Sequence, residues 1–528
     1  MRQRSLAGLL LLTALLLAPF LAKPFHIDDA YQLRVARQIR AAPARPYGAL
    51  YNWTGTPAPL WLNNLHPPLN AYILAGAVTA LGEDEVRLHA FYLLFALGCV
   101  LWMYLLGRRM CRSPGLPALM TLASPAFFIS ATSVMTDIPL LFFWLLAVLL
   151  ARAAGEADRP ALLWPAGAAA AAAAMTNLFG LALLPLLIAD WAARSRRWTP
   201  HLSALLLPAL AVGLWGGYSV GEIGFFHPLA AASFAASTGR DPALSLGAAA
   251  AFLGGCFLWP AVLLPAAAAY SRRLAAAAAG LWLLLWLAMP AGTAAGGLWP
   301  PLALAGIVLL ALAGESALRR ADADSLLLIL WLGGTVVFAT GLNWTVSARS
   351  LLPAAFPAAL LAVRWLEGRP RERLWTQALS WMLVPAAALT LWVAAADHAM
   401  AEAHRFLART AARALVADGR KVSFIGHWGF QHYMEQEGAA AFDYRRPRLA
   451  RDEILLVSTN NTGARRLPPP LRENVRTHMK LPVHNRYGVQ TTDTAGRRAG
   501  FYSSLVGPVP FSFGRGLLHD TFLFEMRK

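Results

Sequence analysis

The chain has 528 residues, 57% of them hydrophobic and only 14% charged, where soluble domains run at roughly 45–50% and about 25%. That balance excludes an ordinary soluble protein. The net charge of +18 comes from 46 Lys+Arg against 28 Asp+Glu, and its distribution excludes a nucleic-acid partner: Arg108, Arg109 and Arg112, then Arg194, Arg196 and Arg197, then Arg272 and Arg273 fill short gaps between apolar runs, as cytoplasmic loops do.

Arg2 and Arg4 precede an apolar run over 5–22, which reads as an uncleaved first span with a cytoplasmic N-terminus. Its exit opens an outer loop over 23–85, rich in Pro, Asn and Trp, with a short apolar stretch at 69–81. Runs of ~10–14 residues fall short of a bilayer, so this stretch reads as a juxtamembrane helix. Spans then alternate over 86–107, 116–129, 138–151, 161–175, 178–193, 201–220, 246–270, 274–291, 298–314, 325–342, 351–363 and 374–396. Each must be helical, because backbone polar groups in hydrocarbon pair internally. The fold class is therefore mostly α, a polytopic membrane protein of about 13 spans. From 397 onward charge is frequent and short β-like runs occur at 422–425, 454–457 and 522–526, with helical pattern at 401–417. Two domains follow: a transmembrane domain over 1–396, and a small extracytoplasmic α/β domain over 397–528. The cysteines Cys99, Cys111 and Cys256 have no metal-ligand or disulfide spacing.

Six polar residues fall on the outer side of this topology. Asp28 and Asp29 follow the first span directly. A carboxylate there suits a general base on an incoming hydroxyl or amine, or equally the N-cap of a helix over 30–39. His66 opens the juxtamembrane helix in His66-Pro67-Pro68-Leu69, as an imidazole for a phosphate or sugar or simply as part of a helix start. Asp137, in Thr136-Asp137-Ile138-Pro139, is the one acid in a 36-residue apolar stretch over 116–151, and an intramembrane acid is a functional candidate by default. Asn177 stands at the next outer turn. Arg349, in Ser347-Ala348-Arg349-Ser350-Leu351-Leu352-Pro353, has the fork to hold a lipid-linked phosphate, or snorkels to headgroups. Together they suit a polar, charged, membrane-embedded substrate.

These residues resemble the GT-C glycosyltransferases of the aminoarabinose-transferase and dolichyl-phosphate-mannose protein-mannosyltransferase type. The matching motifs are Asp28-Asp29-Ala30-Tyr31 after the first helix, His66–Leu69, the Gly107-Arg108-Arg109 end of a span, Thr136-Asp137-Ile138-Pro139-Leu140 before an aromatic-rich span, and Arg349 followed by Leu351-Leu352-Pro353. They cover most of residues 1–365. Relatives often carry Asp-Glu where this chain has Asp28-Asp29, Lys where it has Asn177, and Arg-Tyr where it has Arg349-Ser350.

The resemblance implies a polyprenyl-phosphate-linked sugar as donor and glycosyl transfer at the outer face of the cell membrane. In that reading Asp28 and Asp29 are catalytic, while His66, Asp137, Asn177 and Arg349 bind the donor and its phosphate. The acceptor is a lipid, a glycan or a protein, and membrane lipids surround the chain. Clustered carboxylates suit hard cations, so a metal, if used, is Mg or Mn on Asp28 and Asp29; no cofactor is assigned. Rival readings are a lipid-linked sugar flippase and a surface-polysaccharide ligase or polymerase.

Overall fold

A computed structural model describes residues 2–63, 66–195, 197–239, 241–289, 297–461, 467, 471–472, 475–514 and 517–526. The chain is mostly helical, with a small sheet region near the C-terminus. Among the described residues six helices are long and apolar enough to cross a membrane: Glu85–Met110, Asp137–Glu156, Pro200–Ile223, Trp299–Arg320, Ala323–Leu342 and Glu372–Ala417.

Other apolar runs are shorter or broken. The run at 116–129 forms two helices, Gly115–Leu122 and Pro125–Ser130. Pro125 lacks an N–H to continue the first, and the Ser124 hydroxyl caps the second by accepting from Phe127 N–H. The single span expected at 246–270 is likewise two helices, Pro242–Phe257 and Pro260–Tyr270. Leu258 takes a left-handed φ of +49° between them, and Pro260 starts the second. The juxtamembrane helix Leu69–Leu81 has 13 residues, about 20 Å of rise against a hydrocarbon core of about 30 Å. It stops at Gly82, whose φ is +79°.

Small residues let the helices approach closely. A Cβ on Gly254 would lie 1.9 Å from the Leu302 carbonyl oxygen, and one on Gly306 would lie 2.0 Å from that of Ala250, so Pro242–Phe257 and Trp299–Arg320 cross backbone to backbone. The loop arginines meet acids at one end of the bundle. Arg152 bonds Asp324 and Glu156, Arg194 bonds Asp190 and Asp324, and Arg364 bonds Asp322 and Asp324. The helix Asp137–Glu156 has its last residue in that network and its first at the opposite end.

The final helix crosses the expected domain boundary without a break. Glu372–Leu407 is continuous through 396 and 397, and with its extension to Ala417 runs for 46 residues. That is about 70 Å, twice a bilayer's hydrocarbon thickness. Its second half packs under a five-stranded sheet of order Ala440–Ala441, Lys421–Ile425, Glu453–Ser458, Leu517–Met526, Val475–His484. The first three strands are parallel and the last two antiparallel to their neighbours. The helix Trp428–Gln436 connects the first parallel pair and packs on the outer-loop helix Asp29–Ala41.

Candidate active site

The outer-loop helix begins where the two acids stand, and its phase separates them. Asp29, the first helical residue, is fully buried. Its Oδ2 accepts from His26 N–H at 2.9 Å and its Oδ1 from Val134 N–H at 2.8 Å. Burial pushes its pKa up to about 7, against the pull of those two amides. Asp29 thus ties the outer loop to the turn over 131–136 that delivers Asp137. Asp28 turns the other way, into a cavity of about 270 Å³, with its side chain 39% exposed.

Arg349 joins the site from far along the chain. It lies on the short helix Ala348–Leu351, fixed by a reciprocal cap between Ser347 and Ser350. Its Nη1 donates to Asp28 Oδ2 at 2.6 Å and its Nε to Asp137 Oδ2 at 2.8 Å. One guanidinium therefore spans two carboxylates brought together from 321 and 212 residues away. Asp137 is itself the first residue of its helix, where the helix dipole favours negative charge.

His66 faces the same cavity, and its backbone carbonyl accepts from the Tyr47 hydroxyl at 2.8 Å. Burial, with the nearby Arg349 charge second, lowers its pKa to about 4, so its imidazole is neutral at pH 7. Asn177 is not among the cavity's lining residues: it ends the helix Leu163–Thr176, and its Oδ1 accepts from Phe179 N–H at 3.0 Å. Four of the six residues singled out, Asp28, His66, Asp137 and Arg349, meet at one place, with Asp29 bracing it from behind. Sequence reasoning missed the walls, Tyr31, Trp53, Phe234 and Trp344, and the amide of Gln32. Tryptophans in outer loops were the one available signal for the walls.

The donor set does not suit a divalent ion on Asp28 and Asp29. Both Asp29 oxygens accept from amides, and Arg349 stands between Asp28 and Asp137 where a cation would bridge them. Among the described residues no three His, Cys, Asp or Glu side chains cluster as metal ligands. A larger cavity of about 610 Å³ lies at the other end of the bundle. Its one titratable side chain, Asp322, is engaged by Arg364 and Ser325, which leaves it no free chemistry.

A family model described as dolichyl-phosphate-mannose-protein mannosyltransferase matches residues 65–215. That segment is similar to this family. It includes His66, Asp137 and Asn177. Among solved structures, the chain is similar to the oligosaccharyltransferase of Archaeoglobus fulgidus, crystallised tethered with an acceptor peptide, at 14% identity and a TM-score of 0.47, covering 83% of this chain and 63% of that one. It is similar to ArnT of Cupriavidus metallidurans, bound to undecaprenyl phosphate, at 14% identity and a TM-score of 0.44, covering 86% and 92%. The S. cerevisiae protein O-mannosyltransferase Pmt1–Pmt2 complex, bound to its sugar donor, is similar at 18% identity and a TM-score of 0.33, covering 42% and 34%. The chain thus spans just under two thirds of the archaeal enzyme it matches. At these scores the likenesses carry no residue correspondence. No curated protein matches the chain.

Proposed function

We propose that the protein transfers a sugar from a polyprenyl-phosphate donor to an envelope acceptor at the outer face of the cell (inner) membrane. What supports this most is Arg349 held between Asp28 and Asp137 at the mouth of the cavity. An acceptor hydroxyl or amine attacks the sugar's anomeric carbon, and the bond from that carbon to the phosphate oxygen breaks. The electron pair leaves with the phosphate, and Asp28 takes the acceptor's proton. Negative charge growing on the phosphate draws Arg349, with neutral His66 as a hydrogen-bond donor, which is where a preorganised cation contributes most. Asp137 holds Arg349 in place, and Asp29 holds the turn that carries Asp137. Inversion at the sugar carbon follows by analogy with the motif family. Asn177 belongs to the donor's surroundings in this reading, through the turn it caps.

The two ends of the bundle fit the same orientation, with the Arg-rich network cytoplasmic and the site and the sheet region outside. A flippase reading fits less well, since transport sites sit near the midplane between repeats, whereas these charges gather at helix ends. Reconstituted protein given radiolabelled lipid-linked sugar and envelope acceptors is the test. Asp28→Asn is expected to lower transfer by at least 10²-fold, within the usual range for a general base, and undiminished transfer removes Asp28 from that role. Label that crosses the bilayer but never leaves its lipid carrier makes the protein a transporter. Transfer that survives EDTA matches the donor set described above.

A further inference from the structure

The cavity wall beside Asp28 carries an amide that no step above uses. Gln32 is 6% exposed and lines the cavity one helical turn after Asp28, with its N–H bonded to the Asp28 carbonyl oxygen at 2.9 Å. Its orientation is dictated from behind by a chain of three groups. Asn70 Nδ2 lies 3.1 Å from the Val134 carbonyl oxygen, which can only accept, so that end of Asn70 must be its NH2. The same nitrogen then donates to Gln32 at 3.1 Å, so the Gln32 atom there must be Oε1. The other end of Asn70, Oδ1, accepts from the Tyr92 hydroxyl at 3.0 Å, which closes the chain. All three partners are buried. Gln32 Nε2 is left with two N–H donors that meet no protein partner among the described residues; it is not one of the fully buried orphaned atoms, and the residue lines the cavity.

A glutamine placed for packing alone needs no relay to fix which end of its amide meets the cavity. Here one end is anchored by a dedicated relay and the other is presented to the cavity beside an acceptor carboxylate. Residues at i and i+4 are surface neighbours on a helix, so Asp28 offers an acceptor and Gln32 a donor side by side. We propose that Gln32 is a specificity-determining residue that reads a vicinal hydroxyl pair on the sugar, one hydroxyl donating to Asp28 and its neighbour accepting from Gln32 Nε2. The walls suit such a ligand: Tyr31 is locked by its hydroxyl's bond to the Leu60 carbonyl at 2.7 Å, Trp53 meets it edge-on at 5.3 Å, and Trp344, packed on Phe234 at 5.6 Å, lines the same cavity. Flat aromatic faces take the C–H faces of a pyranose while the edge groups sort its hydroxyls.

The inference rests on the reading of the site as a sugar-transfer site, and it fails separately from it. The probes are farnesyl-phosphate-linked hexoses and their single-deoxy analogues, titrated against the full-length protein in detergent while the fluorescence of the wall tryptophans is followed. Wild type is expected to bind the parent sugars and to lose about 10–100-fold when one particular hydroxyl of an adjacent pair is removed, the usual cost of one hydrogen bond left unmade. Gln32→Met, which keeps the shape and removes the donor, is expected to lose the same factor on the parent sugar and nothing further on that deoxy analogue. Wild type that binds every deoxy analogue as it binds the parent overturns the proposal without needing any variant. So does Gln32→Met with unchanged discrimination. In either case continued sugar transfer leaves the transferase reading standing, while discrimination without transfer removes that reading alone.

Discussion

Arg349 serves two carboxylates with two different nitrogens, and this bears directly on what can replace it. Lysine has one charged nitrogen on a flexible stem and cannot repeat the Nε and Nη1 contacts to Asp137 and Asp28 together. Arg349→Lys is therefore expected to keep the charge, lose the bridge, and reduce transfer by on the order of 10²-fold, comparable to loss of one oxyanion donor. Donor titrations that give wild-type rates would remove Arg349 from the leaving-phosphate role. Asp28, Asp137 and Arg349 were legible because each interrupts or borders a long apolar run, where charge is expensive. The division of labour between Asp28 and Asp29 was not. Adjacent residues differ by about 100° around a helix, and only the fold decides which faces the cavity and which the amides of His26 and Val134. Gln32 was invisible for a related reason: its meaning comes from Asn70 and Tyr92, 38 and 60 residues on, and nothing local marks it.

The elements around the site meet the C-terminal sheet region, which holds both of its charged arms. On one side the helix Trp428–Gln436 cradles the irregular segment leading to Asp28. Tyr433 accepts the Phe25 N–H at 2.8 Å, and a Cβ on Gly429 would lie 2.1 Å from the Phe25 carbonyl oxygen. On the other side the segment before Arg349 is pinned by the chain near 500: Ala348 N–H donates to the Phe501 carbonyl at 2.9 Å, and Ser504 N–H to that of Val346 at 2.7 Å. Between them Asp397, on the long final helix, accepts from Lys23 Nζ at 2.7 Å and from the Thr491 and Tyr502 hydroxyls. Gly429→Ala is expected to push Phe25 and His26 away, so that turnover falls at least tenfold while the protein still folds and the donor still binds. Equal losses in melting temperature and turnover would mean a general destabilisation instead. The alternation of apolar and basic segments made the helices legible in outline. It did not reveal the breaks at Ser124 and Leu258, which depend on a cap and a left-handed turn. The strand Val475–His484 was legible and was passed over: Val475, Thr477, Met479, Leu481 and Val483 alternate with Arg476, His478, Lys480, Pro482 and His484. The change in composition at 397 falls inside a helix that continues across it.

Across the whole molecule, charge gathers at the two ends of the bundle, and the seam between the segment near residues 23–29 and the C-terminal sheet region sets the buried Lys23–Asp397 ion pair among neutral imidazoles. His26 is fully buried there, ringed by His404, Trp428 and Tyr502, with Nε2 4.0 Å from Asp397 and neither ring nitrogen hydrogen-bonded among the described residues. Burial lowers its pKa to about 4, outweighing the attraction of Asp397 and Asp28, while Lys23 pushes the same way as burial. His432, against Phe25, is held down to about 3 by burial and by Arg37. A histidine whose folded pKa lies below its unfolded value of about 6.5 adds stability above pH 6.5 and loses it as the pH falls toward the folded value. Asp29, with its raised pKa, runs the opposite way between about 4 and 7, so total stability is a poor readout and the difference between proteins is the better one. His26→Phe fills the same apolar space and cannot take up a proton. Between pH 7 and pH 4.5 the wild type is expected to lose about 2–3 kcal/mol relative to this variant, the linkage value for two pH units at about 1.4 kcal/mol each. Thermal melts of both proteins in detergent across that range provide the check. A gap that stays constant with pH would mean that His26 takes up its proton in the folded seam as easily as in the unfolded chain, and that the seam is wet.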